Sequence, residues 1–160
     1  MKKIFEIFFT FLVLSNPLYG STEKIRQIFL LRHAETQVDS TLSKKGKERA
    51  IKLAHMLKNQ KIEEIIVSSE KRTQQTAQIL AEQKNINPRK ITMSHEIKNF
   101  ILSKKNENDN ILIVSHSNII PLVAFELRAP SIYIKHDNYS NLFIITLEGN
   151  KFKSMTRLLY

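Results

Sequence analysis

At 160 residues the chain suits a single domain, and 42% hydrophobic with 25% charged residues is the composition of a folded protein, not a disordered one. It has no cysteine, so disulfides and thiolate metal sites are excluded. The formal net charge of +10 favours anionic partners. The lysines are scattered with no aromatic platform between them, which argues against nucleic acid and leaves a phosphorylated small molecule or an anionic envelope surface.

The chain opens with Lys2 and Lys3, then a short apolar run from Ile7 to Leu14, then the breaker-rich Ser15-Asn16-Pro17-Leu18-Tyr19-Gly20. A basic start, a short greasy middle and a polar end with a small residue are the order of a secretory signal. Residues 1–20 are therefore read as a signal peptide and 21–160 as the working domain, with export to the periplasm as the expected destination. The apolar run is too short for a comfortable membrane span, so no stable span is expected after the signal is removed. Retention of the segment as an anchor is the alternative.

Beyond residue 20, strand and helix patterns alternate. Ile25 to Leu31 is an apolar run of strand length, followed by a polar loop. Ser43 can cap a helix to about Leu57, in which Ala50, Leu53, Ala54 and Leu57 make one apolar stripe. Glu64 to Val67 reads as a second strand, and Arg72 to Gln83 as a second helix with Thr73, Thr76, Ala77 and Leu80 on one face. Ile91 to Ile97 reads as a third, weaker strand, and Lys104 to Asn110 as a solvated loop. Ile111 to Val114 is the clearest buried strand, and an apolar helix from about Asn118 to Leu127 follows, with Pro121 in its first turn. Leu142 to Leu147 and Phe152 to Leu158, separated by Glu-Gly-Asn, form a closing hairpin. The pattern predicts an α/β three-layer sandwich: a mostly parallel central sheet, helices on both faces, and a C-terminal hairpin.

In open α/β sheets the ligand crevice lies outside the carboxyl ends of the strands. Those ends carry Arg32 and His33 after the first strand, Ser68, Ser69 and Arg72 after the second, Glu96 at the third and His116 after the fourth. Singly, each has an ordinary structural explanation; jointly, two arginines, two histidines and a carboxylate converge on one edge. His55, His95 and His136 lack such company and are read as structural. No His/Asp cluster has ligand spacing, and the arginines would repel a cation, so neither metal nor cofactor is expected.

Four segments, in order, make the pattern specific. Leu31-Arg32-His33-Ala34-Glu35-Thr36 resembles the LRHGE[ST] signature of the histidine phosphatase superfamily, which includes the phosphoglycerate mutases. Leu42-Ser43-Lys44-Lys45-Gly46 resembles its L-[ST]-x-x-G helix start, Ser68 to Ala77 its S-P-x-x-R-[AT]-x-x-T-A segment, and Val114-Ser115-His116-Ser117 its V-x-H-[GS] strand end. The resemblance implies a metal-independent phosphomonoesterase in which His33 is the nucleophile and carries the phosphoryl group as phosphohistidine. It implies that Arg32, Arg72 and His116 bind the transferring oxygens, and that Glu96 protonates the leaving oxygen and then activates water. Forked arginine donors match phosphate geometry, and a neutral imidazole is a competent nucleophile near pH 7.

This chain departs from the pattern at several positions. Ala34 replaces a glycine, a mild change if φ is negative there. Ser69 replaces a proline, and Ser117-Asn118 stand where a Gly-Gly pair is common. Asp39 falls where mutase-like members often place an asparagine, and is expected to point away from phosphate. Glu96 lacks the usual L-x-E context and is chosen partly because no other acidic residue lies between Glu82 and Glu107. Only about Asn85 to Asn110 is free to form a cap, so the cap is minimal and the site open. That resembles the short phosphohistidine phosphatases and the exported phosphatase of lipopolysaccharide core heptose, and points to an envelope sugar phosphate or glycolipid. A phosphohistidine protein as substrate, a non-catalytic phosphate-binding module and a basic adaptor stay open.

Overall fold

The computed structural model describes residues 24–103 and 109–160. The segment read as a signal, residues 1–20, lies outside them, as does most of the loop at 104–110. In chain order the elements are β1 (Ile25–Arg32), α1 (Lys44–Leu57), β2 (Ile62–Val67), α2 (Lys71–Lys84), β3 (Arg89–Lys90), α3 (Ser94–Ser103), β4 (Asn110–Ser115), α4 (Ile119–Glu126), β5 (Asn141–Glu148) and β6 (Lys151–Leu159). The strands form one six-stranded sheet in the order β3-β2-β4-β1-β5-β6. Strands β1 to β4 pair in parallel, whereas β5 runs antiparallel to β1 and β6 antiparallel to β5.

Residue alternation along the strands splits the interior into two cores. Ile28 and Leu30 of β1, Ile111 and Ile113 of β4, and Phe143 and Ile145 of β5 pack with Ile97 and Ile101 of α3 and Ile120, Val123 and Ala124 of α4. Phe29, Leu31, Leu112, Val114 and Leu142 point the other way, onto Leu53, Ala54 and Leu57 of α1 and Ala77, Leu80 and Ala81 of α2. Strands buried on both faces read as continuous apolar runs, which is why β1 and β4 were plain in the sequence. The expected helix stripes are the buried faces: Ala50, Leu53, Ala54 and Leu57 in α1, and Thr73, Thr76, Ala77 and Leu80 in α2. Ser43 caps α1, its hydroxyl accepting from the Gly46 amide at 3.1 Å.

The expected strand from Ile91 to Ile97 is absent. Its place is taken by the two-residue β3, and Ser94–Ser103 is helical. Ile97 pairs on one helical face with Ile101, four residues on, and both are fully buried. Burial of that pair outweighs the strand preference of the β-branched Ile91 and Thr92.

The crossovers leaving β1 and β4 pass to opposite faces, α1 to one and α4 to the other. These two strands are neighbours, so the chain parts above their carboxyl ends and opens a crevice there. Strand β5, being antiparallel, begins at that same edge: Leu142 pairs with Leu31. The connection that feeds it therefore crosses the crevice.

Candidate active site

His33 and His116 each follow the last residue of their strand. Arg32 is in register with Ser115, and the His33 amide donates to the Ser115 carbonyl at 2.9 Å. Strand pairing thus sets the two imidazoles side by side, with ring centroids 5.4 Å apart. Ser68 follows β2, whose Val67 pairs with Val114, so it meets the second ring: Ser68 Oγ lies 2.9 Å from His116 Nε2. Thr73 Oγ1 lies 2.9 Å from the same serine oxygen, so the ring is held by a buried pair of hydroxyls.

The His33 ring is fixed by its own chain. Its Nδ1 lies 2.8 Å from the Ala34 carbonyl, which can only accept, so the hydrogen sits on Nδ1 and the lone pair on Nε2. The Ala34 amide donates to Thr76 Oγ1 at 2.9 Å, tying this turn to α2. Among described residues other than glycine, φ is positive only at Ser40, Asn85 and Arg128, so alanine occupies position 34 without strain. Burial drives the His33 imidazole well below its ordinary range, to about 4. The Ala34 bond opposes this, and the charges of Arg32, Arg72 and His116 add to it. Burial also lowers His116, with Arg72 acting in the same direction and Glu70 against it. Both shifts favour the neutral ring.

Arg32, His33, Arg72 and His116 line one cavity of about 540 Å³. Arg32 lies at its floor, 7% exposed, with His33 at 6%. The Arg32 guanidinium stacks on the Tyr139 ring at 4.0 Å, donates to the Tyr139 hydroxyl at 3.2 Å and donates to the His136 carbonyl. Arg72 is reached from the first turn of α2 and faces Glu70, with Nη1 3.4 Å from Oε2. Three cations or donors, Arg32, Arg72 and His116, about the free His33 lone pair are suited to hold a phosphoryl group against that nitrogen.

Glu96 does not join them. It is exposed in the first turn of α3, while Ile97 and Ile101 take the buried face, and it does not line the cavity. This corrects its expected place at the end of a strand. Asp39 turns away, as expected, its carboxylate accepting from the Thr41 hydroxyl at 2.7 Å and the Thr41 amide at 3.0 Å. Ser69, Ser117 and Asn118, the departures noted in the sequence, do line the cavity.

Four further lining residues were not foreseen: Thr36, Glu70, Thr92 and Tyr139. His136, read as structural, also borders the space and supplies its carbonyl to Arg32. The signal for Tyr139 and His136 was the closing hairpin itself, since an antiparallel β5 forces its leading connection over the strand ends. A larger cavity of about 710 Å³ lies beside α2 and the turn after it, lined chiefly by amides such as Gln74, Gln78 and Asn87. It is lined by none of Arg32, His33, Arg72 and His116. Among the described residues no group of three metal-ligating side chains gathers, and no helix is long and apolar enough to cross a membrane.

Residues 28–99 match the family model of the histidine phosphatase superfamily (branch 1). The resemblance read from the motifs holds. No protein with a curated description matches. Among solved structures, the protein histidine phosphatase SixA in complex with tungstate is similar, at 21% identity and a TM-score of 0.66, over 81% of this chain and 96% of that one. So is a putative alpha-ribazole-5'-P phosphatase from Escherichia coli K-12, at 18% and 0.65, over 84% and 96%. A mycobacterial glucosyl-3-phosphoglycerate phosphatase gives 16% and 0.61, over 85% and 97%. At such identities the likeness shows the fold alone: a mostly parallel six-stranded sheet with helices. The family match over residues 28–99 is what supports phosphatase activity.

Proposed function

We propose that the protein is a phosphatase that removes the phosphoryl group from a phosphomonoester by way of a phosphohistidine on His33, without a metal. The observation that carries this reading is the His33 ring, whose Nδ1–H is committed to Ala34 so that Nε2 keeps its lone pair among Arg32, Arg72 and His116. The nitrogen attacks phosphorus, and the cationic and imidazole donors stabilise charge on the equatorial oxygens. The roles of Arg32, Arg72 and His116 are thus electrostatic and positional.

The substrate in this reading is an exposed phosphomonoester, with an envelope sugar phosphate or glycolipid as first choice. The signal-like segment at 1–20 and the net charge of +10 support that choice. The cap is small: of the segment from Asn85 to Ser103, only Thr92 lines the cavity, and α3 packs against α4 instead of roofing the site. A phosphohistidine on another protein is the second reading. It is favoured by the likeness to SixA across 96% of that chain.

The test is brief reaction of the purified protein with a labelled phosphomonoester. The expected result is an acid-labile, base-stable phosphate on the protein, the stability pattern of a P–N bond. His33→Ala should abolish both label and turnover. Turnover that survives His33→Ala, or that requires a divalent metal, would overturn the reading.

A further inference from the structure

Attack by His33 expels an oxygen, and an alkoxide leaves slowly unless it receives a proton as the bond breaks. Among the described carboxylates, Glu35 is held by Arg49 in a fork of two 2.7 Å bonds, and Asp39 is held by Thr41. Asp137, though next to His136, is exposed and does not line the space, and neither does Glu96. Glu70 is the one carboxylic acid among the described lining residues.

Its position is unusual for a glutamate. Glu70 is the N-cap residue of α2, a place that favours short side chains able to bond the first amides. Its side chain makes no capping bond. The carboxylate turns instead to Arg72, 3.4 Å away, and is 48% exposed, whereas His33 and Arg32 are 6% and 7% exposed at the floor. Phosphoryl transfer runs in line, with the leaving oxygen opposite the attacking nitrogen. A nucleophile at the floor therefore sends the leaving group toward the rim, where Glu70 stands.

Resting on the His33 reading, we propose that Glu70 is the proton donor to the leaving oxygen and then the base for water. When an ester binds, its oxygens take over the Arg72 donors that face Glu70, which frees the carboxyl to meet the leaving oxygen. Arg72, His116 and the adjacent Lys71 are the charged or titratable groups around it. In the first half-reaction the bond from His33 Nε2 to phosphorus forms as the ester P–O bond breaks, and the Glu70 proton passes to the departing oxygen, releasing the alcohol. In the second, water attacks phosphorus, the P–N electron pair returns to Nε2, and one water proton returns to Glu70. The balance consumes one water and nothing else.

The experiment compares Glu70→Gln, Glu70→Asp and Glu96→Gln on an alkyl phosphate, glycerol 2-phosphate, and on p-nitrophenyl phosphate, whose leaving group needs no proton. Glu70→Gln should lower the alkyl phosphate rate roughly 10²–10⁴-fold. It should leave His33 labelling by p-nitrophenyl phosphate fast and make the phosphoenzyme accumulate, because water then lacks its base. Glu70→Asp, which keeps the acid on a shorter stem, should restore part of the alkyl rate, and Glu96→Gln should behave as the parent. Equal losses in the rate of His33 labelling by both substrates in Glu70→Gln would overturn the proposal and assign Glu70 to positioning Arg72. An unchanged alkyl rate, or the leaving-group dependence appearing in Glu96→Gln instead, would overturn it too. Loss of the His33 label in the parent enzyme would be a failure of the phosphohistidine reading, and is seen separately in the same series.

Discussion

Burial disfavours a proton on His33, and the nearby Arg32 and Arg72 charges add to that, so the Ala34 hydrogen bond offsets only part of the effect. The result is a neutral imidazole across the neutral range, so in the proposed mechanism His33 would need no separate base to deprotonate it. The same shift has a consequence for stability. Between the ordinary value of 6.5 and the folded value of about 4, the unfolded chain binds more protons at this position than the folded one. Stability from His33 is therefore fully present above the unfolded value and lost as pH falls through that window. The His33 ring resonance, assigned by its disappearance in His33→Ala, should stay in its neutral position from roughly pH 8 down to 5. It should move only toward pH of about 4. An NMR midpoint near 6.5 would show that burial and the arginines do not act on this ring.

At the scale of elements, the site depends on how α1 docks against the turn that follows His33. The Ser43 amide donates to the Glu35 carbonyl at 2.9 Å, and the same carbonyl abuts Gly46, where an added Cβ would lie 2.1 Å from the oxygen. Glu35 is anchored in turn by Arg49; burial would raise its carboxyl, but the Arg49 fork overrides this and holds it at about 2. Gly46→Ala must push helix and turn apart, a form of overpacking that costs about 1–3 kcal/mol. Thermal unfolding should therefore fall by several degrees, and turnover should drop although Gly46 touches no substrate. An unchanged midpoint would show that the turn yields freely. This docking was legible as the spacing from Leu42 to Gly46, because local capping and a required glycine leave sequence traces. The α3 helix was less so: the run from Ile91 to Ile97 stops short of Ile101, the partner that gives the helical period. Arg26 was not legible at all. It is fully buried in β1, donating to the Ile101 carbonyl at 2.7 Å and to Asn150 at 2.9 Å, partners 75 and 124 residues away.

For the molecule as a whole, Arg32, His33 and His116 line one cavity because they sit at strand ends, which follow from apolar runs, and Arg72 joins them from the first turn of the helix after β2. Glu70 and Tyr139 were missed because they enter by a cap position and by a connection, neither of which shows in hydrophobic periodicity. The net charge of +10 leaves a rival account in which anions bind anywhere on a basic surface. A built site and a diffuse charge predict different responses to a small anion. Orthovanadate bound only to the folded state at about 100 times its dissociation constant stabilises by about 2.7 kcal/mol. For a chain of this size that raises the unfolding midpoint by roughly 5–10 °C. Arg72→Ala should remove most of that rise, since Arg72 lines the cavity and its side chain is only 25% exposed. Lys52→Ala, a change of equal charge on the exposed surface of α1, should leave it intact. Equal losses in the two variants, with the rise vanishing in moderate salt, would favour the diffuse surface, because exposed charges are screened within about 10 Å at 0.1 M salt. Loss in Arg72→Ala alone would place the anion among Arg32, His33, Arg72 and His116, where strand register has already gathered the groups that phosphoryl transfer requires.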